Sequence, residues 1–349
     1  MMKSSYHRRL RAALVVGATA SALLLAGCAS GTSSAGSSNK IVYASYGGSF
    51  TDAQTKAFYQ PFATKAGLKM TVATGVGFPK LKAMEQTGNV SWDVVTADDG
   101  TFPNMVAAGL LAPLDKKIVD TSNIEPGVVN KYGVGYIKFS QNFGYSKDKF
   151  PGQTLTPADF FDPSIKARRS VTNPEGTLEF ALLADGVKPA DLYPLDLDRA
   201  FKVLDRIKPQ IVNASADQET LVQQKEVDMA FISGGRLLDA IKGGANWQLS
   251  WQDAISQTEY WAVPKNAPDK AAAMKFINYA IQPAPQAKLS ALIPYGPTNS
   301  KAIPLIKQDI ASTLPSYPAN AAQGITLNAA YWSKNLTSIT ARWTAWLAQ

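Results

Sequence analysis

Four charged and three aromatic side chains stand where strand-like runs meet loops. Asp98 and Asp99 follow the run Trp92-Asp-Val-Val-Thr96. Arg236 follows Gly234-Gly235 at the end of the apolar run Val227–Ser233, and Glu259 begins the run Glu259–Pro264. A carboxylate taken out of water needs a donor or a cation, so it offers a place for an ammonium group. A guanidinium instead grips a carboxylate with two parallel N–H donors. Arg236 and Glu259 on one cleft would suit a molecule with an acid at one end and an amine at the other. Turned toward each other they make an ion pair, worth little if exposed. Asp98 and Asp99 either form a negative pocket or close an Asp-Asp-Gly turn that caps the next helix. The rings of Tyr46, Trp261 and Tyr295 can wall such a site, because their faces attract ammonium groups. The competing fate of a large ring is the core, and it fits Trp261 as well as Trp92, Trp332, Trp343 and Trp346.

The rest of the inventory narrows the chemistry. The 349-residue chain has one histidine, His7, and one cysteine, Cys28. Both lie in a start of the chain that reads as an export signal: Lys3, Arg8, Arg9 and Arg11, then an apolar stretch from Ala12 to Leu25, then small residues. That stretch, about 14 residues, is too short for a bilayer, which takes roughly 20. Leu25-Ala-Gly-Cys28 resembles the lipobox of bacterial lipoproteins, in which the cysteine is lipidated and becomes the first residue. A plain signal with an incidental cysteine is the alternative. Removal of residues 1–27 leaves 322 residues, no histidine, and a net charge of +4 (+8 less the four basic residues removed). Ser-His-Asp and Cys-His catalysis, His/Cys zinc sites and haem are then excluded. A pair of carboxylates, as in a glycosidase, is not. There is no phosphate-binding Gly-x-x-x-x-Gly-Lys loop, and Gly75-Val-Gly77 and Gly133-Val-Gly135 lack the third glycine of a dinucleotide loop. Neither a Lys/Arg stripe nor an RNA-binding motif is present, so no nucleic-acid partner is expected. No metal and no cofactor is expected either.

The elements that must position these residues alternate. Strand patterns over 41–46, 68–73 and 92–96 are separated by helical stretches near 51–66 and 81–86, with a short helix near 101–109. Alternation of this kind predicts parallel βαβ units in an open α/β sheet, with ligands outside the carboxyl ends of the strands. An extended run, Tyr136–Tyr145, reads as a crossing to a second lobe. There Val171-Thr-Asn-Pro-Glu-Gly176 resets the chain, and helices are expected near 178–185, 196–206 and 216–224. After the strand at 259–264, Asn266 or a neighbour caps a helix with Pro268 in its first turn. Segments 283–292, 303–314 and 326–347 complete the helices. Ala29–Asn39, rich in Ser and Gly, reads as a flexible tether.

Several of these stretches together resemble the spermidine/putrescine-binding proteins of ABC importers. They are Tyr43–Gly48, Trp92-Asp-Val-Val, Met105–Asp115, Trp261-Ala-Val-Pro-Lys-Asn-Ala-Pro-Asp-Lys270, Lys275-Phe-Ile-Asn278 and Ile293-Pro-Tyr-Gly-Pro-Thr-Asn299. The resemblance implies the type II periplasmic-binding-protein fold: two α/β lobes joined by crossing strands, with the ligand cleft between them. It places lobe one at 40–140 and 259–303 and lobe two at 141–258. Residues 304–349 are C-terminal helices, mainly on lobe two. Residues 1–27 are then the signal and 28–39 the lipidated tether. It also implies a monomeric, non-enzymatic receptor outside the bacterial membrane, anchored through Cys28, that hands a small amine such as putrescine or spermidine to a permease. Glu259 stands where the family carries an aspartate, and Tyr295 matches a family ligand tyrosine.

The sequence departs from that pattern in ways that bear on the ligand. The acid expected after the first strand is replaced near Gly47-Gly48. The acidic pair of the second lobe is reduced to Glu175 within Asn173–Thr177, and a family tryptophan becomes Gln257. With Arg236 expected to face the cleft, a zwitterion such as γ-aminobutyrate or a related amino acid or opine is the rival to a polyamine. A carboxylate-only hydrolase and a structural lipoprotein are the remaining alternatives.

Overall fold

The computed structural model describes residues 40–213 and 218–349. Cys28, the signal and the tether lie outside the described residues. Among those described, eleven strands form one curled sheet. They are β1 (Lys40–Ser45), β2 (Lys69–Thr74), β3 (Val94–Asp98), β4 (Gly133–Ser146), β5 (Arg169–Ser170), β6 (Ile211–Asn213), β7 (Met229–Ser233), β8 (Trp247–Leu249), β9 (Ile255–Ala262), β10 (Gly296–Pro297) and β11 (Ile325–Thr326). The order is β2-β1-β3-β9-β4-β7-β5-β6. Pairing is parallel at both ends, among β2, β1 and β3 and among β7, β5 and β6. The centre is antiparallel, because β9 runs against both β3 and β4, and β4 against β7.

The two largest hydrophobic cores among the described residues lie along this sheet. The first draws on residues 41–137 and 260–289, and the second on 143–231, 255 and 327–346. β4 and β9 run from one to the other. Tyr136, Ile137, Tyr260 and Trp261 belong to the first core, and Phe143 and Ile255 to the second. Between them the two strands turn polar: Lys138, Ser140, Gln141 and Asn142 on β4, Gln257, Thr258 and Glu259 on β9, all buried. Sheet pairing satisfies the backbone there, and the side chains pair with neighbours, Lys138 with Glu125, Gln141 with Asn173 and Asn142 with Ser250 C=O, while Glu259 lines a cavity.

The helices show where local signals were strong. Gly48–Gln54, one π turn at Thr55–Tyr59, and Gln60–Ala66 form a continuous helical run that buries Phe58, Tyr59 and Phe62. The helix Lys270–Ala280 is capped by Asp269, which accepts from Ala272 N–H at 2.9 Å. Asn266, three residues earlier, instead binds Glu85. The helix expected over 303–314 is broken into a 3-10 turn, Ile303–Leu305, and Gln308–Ala311, because the backbone is extended at Ile306 (φ −97°, ψ 138°) and Lys307 (φ −56°, ψ 139°) between them. Ala329–Leu347, capped by Asn328, buries Trp332, Trp343 and Trp346 in the second core.

Trp261 settles the question its size raised, and it does not wall the cleft. It is fully buried, stacked on Tyr136 at 3.8 Å between ring centroids and edge-on to Tyr43 and Phe276. It shares a strand face with Glu259, since the two are two residues apart. The helical run over 48–66, through Phe58, covers that end of the face. Truncation to Trp261→Ala should therefore destabilise the protein by about 3–5 kcal/mol, measured by urea unfolding, as expected for an emptied core site. An effect under about 1 kcal/mol, the range of surface changes, would place the ring outside the core.

Candidate functional site

The β3–β9 register sets Asp98 directly opposite Glu259. Opposed residues of an antiparallel pair project to the same face, so two carboxylates stand side by side. Glu259 is 4 % exposed. Its Oε1 accepts from Thr96 Oγ1 at 2.6 Å and from Tyr46 OH at 2.8 Å. Burial first, and the neighbouring Asp98 second, hold its carboxyl well above the usual range. Asp98 Oδ1 also accepts from Thr101 N–H at 2.8 Å, so the same side chain closes the turn after β3 and faces the cleft.

Arg236 arrives from the other side. It lies in the first turn of the helix Gly234–Lys242, which starts where β7 ends. The two glycines before it allow the approach. A Cβ on Gly234 would stand 2.5 Å from Asn142 Oδ1, and one on Gly235 would stand 3.0 Å from the Tyr295 ring. Tyr295 packs against the first core, while Gly235 starts a helix whose Leu237 and Ala240 pack with Ala230 and Ile232 of β7, so this is where the two halves meet. Rings form one wall: Tyr46 and Phe50 at 6.0 Å, Phe50 and Tyr295 at 5.8 Å, and Phe139 and Tyr295 at 6.3 Å. The cavity between the two halves is open to solvent and measures about 630 Å³. Tyr46, Asp98, Arg236, Glu259 and Tyr295 all line it.

Asp99 does not. Successive residues leaving a strand point to opposite faces, and Asp98 takes the cleft. Asp99 turns to the back, where it accepts from Thr258 N–H at 2.6 Å beside the stacked pair Phe102–Tyr260. Burial pushes its carboxyl up to about 6. The alternation rule, applied to Asp98-Asp99, was the signal that separates them.

Other groups of the site were not singled out from sequence. Phe50, Phe139, Glu219 and Asp239 line the cavity. Phe139 was detectable by its two-residue spacing from Ile137 on β4, whereas Phe50, Glu219 and Asp239 carried no local mark. Glu175 sits at a break in the helix Pro174–Ala184. Its Oε1 lies 3.1 Å from where a Cβ on Gly100 would stand, in the turn that follows Asp98. Burial, then Asp98, lifts its carboxyl to about 7. Carboxylates from both halves thus converge at one end of the cleft, a field that favours a cation. Among the described residues, Arg236 is the one cationic side chain on the cavity.

Residues 57–322 match the family described as bacterial extracellular solute-binding protein. The chain belongs to that family. The γ-aminobutyric acid-binding protein of Pseudomonas aeruginosa is 33 % identical over 342 residues, covering 94 % of this chain and 97 % of that one. The spermidine/putrescine-binding periplasmic protein of Escherichia coli is 24 % identical over 276 residues, 74 % of this chain and 78 % of that one. Among solved structures, the binding protein AgtB of A. tumefaciens R10, in complex with agropinic acid, superposes with a TM-score of 0.78 at 50 % identity, covering 89 % of this chain and 99 % of that one. This solute-binding protein therefore has the two-lobe α/β fold, and it is a receptor and not an enzyme. The two cores are the lobes, β4 and β9 cross between them, and the cavity is the interlobe cleft.

Glu175 generates a pH prediction. Its folded value lies above its ordinary 4.5, so its contribution to stability is fully present below about pH 4.5 and is lost as pH rises through about 7. Melting of the ligand-free protein should show Glu175→Gln gaining on the wild type across this window. A constant difference from pH 4 to pH 8 would mean that Glu175 is not held in the cleft.

Proposed function

We propose that the chain is the lipid-anchored receptor of an ABC importer and that its ligand is a small zwitterion of the γ-amino acid or opine class. The observation that carries this reading is the placement of Arg236 and the Glu259–Asp98 pair on one cavity from opposite lobes. A guanidinium takes a carboxylate bidentately, while desolvated carboxylates take an ammonium. Closing the lobes joins the two ends and removes water from both. The aromatic wall of Tyr46, Phe50, Phe139 and Tyr295 accommodates the alkyl part between them. The γ-aminobutyric acid-binding relative and the agropinic acid complex support the same class.

A polyamine is the second reading, favoured by the excess of acid. Asp98, Glu219, Asp239 and Glu259 line the cavity and Glu175 stands at its edge, against Arg236 alone among the described residues. The E. coli spermidine/putrescine-binding relative supports it.

Calorimetry with γ-aminobutyrate and putrescine separates the two. Loss of one charged hydrogen-bonding partner costs about 1.5–3 kcal/mol, so Arg236→Ala should weaken γ-aminobutyrate by about 10- to 100-fold. Putrescine binding that is tighter in the wild type, and improved by Arg236→Ala, would move the assignment to a polyamine. Glu259→Gln should weaken either amine, and unaltered binding would remove Glu259 from the site.

Cys28 is proposed as the lipid attachment point, on the Leu25-Ala-Gly-Cys28 pattern and the Ser/Gly tether after it. Anchoring beside the membrane raises the local concentration of receptor near its permease. Cell fractionation of Cys28→Ala should recover the protein with the soluble material; a variant that still sediments with membranes rules the anchor out.

A further inference from the structure

The helix Pro174–Ala184 starts with a break that its sequence does not require. Glu175 is extended (φ −63°, ψ 126°) and Gly176 has φ 81° and ψ −46°. That conformation is close to a tight γ-turn, which is strained and open in practice to glycine. A side chain at 176 is also excluded by space, since its Cβ would fall 2.1 Å from Gln141 Oε1. The break is what carries Glu175 out of the helix to the edge of the cleft.

From the core side, one side chain ties this break down. Glu179 is fully buried. Its Oε2 accepts from Gly176 N–H at 2.8 Å. Its Oε1 accepts from Tyr193 OH at 2.7 Å and from Trp332 Nε1–H at 2.6 Å. The Gly176 contact is the back-bond of a capping box, with the glutamate three residues into the helix. A capping role by itself needs only that bond. The other two donors tie the same carboxylate to Tyr193 and to the helix Ala329–Leu347, deep in lobe two. On the cleft side Gln141 Nε2 donates to Asn173 Oδ1 at 2.8 Å, just before the break, while Gln141 Oε1 and Thr177 Oγ1 beside it are buried without a hydrogen-bond partner.

We infer that Glu179 is a positioning residue for ligand capture, a latch that holds the Glu175–Gly176 break against the core of lobe two so that Glu175 meets Asp98 across the cleft. The inference rests on the amine end of the cleft proposed above. The carboxylate suits the task because it presents acceptors in both directions at once. An amide of the same shape does not. With its oxygen toward Tyr193 and Trp332, its NH₂ would face the Gly176 N–H, donor against donor. The break would then be released while the packing around it stayed the same size.

The test uses the mature chain, with γ-aminobutyrate and putrescine as probes. Glu179→Gln should weaken the better-bound probe by about tenfold or more, the effect of one misplaced charged partner. It should also abolish the pH-dependent difference in melting between wild type and Glu175→Gln, because Glu175 would no longer be held beside Asp98. A merely structural glutamate would lower the melting temperature and leave that pH difference in place. Wild-type affinity in Glu179→Gln together with a wild-type pH difference overturns the latch. If Glu179→Gln does not fold, Tyr193→Phe decides, because it strips one core-side donor from the same carboxylate. Weaker probe binding by a folded Tyr193→Phe supports the latch, and unchanged binding overturns it. Glu259→Gln, run alongside, keeps the two readings apart. A weak Glu179→Gln beside a normal Glu259→Gln keeps the latch and removes Glu259 from the amine end. The reverse overturns the latch alone.

Discussion

β4 and β9 lie side by side from Gly133 opposite Ala262 to Gln141 opposite Ile255, and both lobes hang on that ladder. At each end the strands are anchored in aromatic cores, by Trp261 and Tyr136 on one side and by Phe143 and Ile255 on the other. In the middle most of their side chains are polar, with Phe139 turned to the aromatic wall of the cleft. The antiparallel β3–β9 pairing adds the second constraint, for it places Asp98 against Glu259 where the crossing leaves the first core. The crossing and a charged site thus come from the same few residues.

The charge arrangement suits capture of a cation. Glu259 is buried with Thr96 and Tyr46 as hydrogen-bond donors, and its carboxyl is held far up by burial and Asp98. A buried carboxylate beside another is costly until a cation arrives. An ammonium relieves that cost at the moment of closure, which couples occupancy of the cleft to the relative position of the lobes. On the proposed reading, Arg236 on the opposite lobe gives the cleft direction, with one end for an acid and one for an amine. Catalysis would require a proton donor or nucleophile poised at a reacting atom, and the family to which the chain belongs binds solutes.

Much of the site was legible because strand ends are legible. Asp98 ends β3 and Arg236 follows β7, and open α/β sheets collect ligands outside strand ends; Glu259, expected at a strand start, lies inside β9 and reaches the cleft by its register with Asp98. Tyr46 and Tyr295 followed from the same loops. Trp261 and Asp99 did not follow, for one reason seen twice. Side-chain direction along a strand alternates, and what covers each face is a matter of packing. Trp261 points the same way as Glu259 but lies under the helical run over 48–66, and Asp99 points away from Asp98 onto Thr258.

By itself the sequence determined the chemistry within reach and the order of the parts. A chain whose one histidine is His7 and whose one cysteine is Cys28 has little of the commonest catalytic machinery to draw on, since no rearrangement of the fold supplies an absent side chain. The alternating apolar runs likewise impose α/β lobes, because periodicity is a local property of the chain. Tertiary structure decided which of these groups meet. Residues 98, 175, 236 and 259 are far apart in sequence and come together only through strand register, the crossing strands and the break at Gly176. Each of these is set by long-range packing, on which no short window of sequence bears.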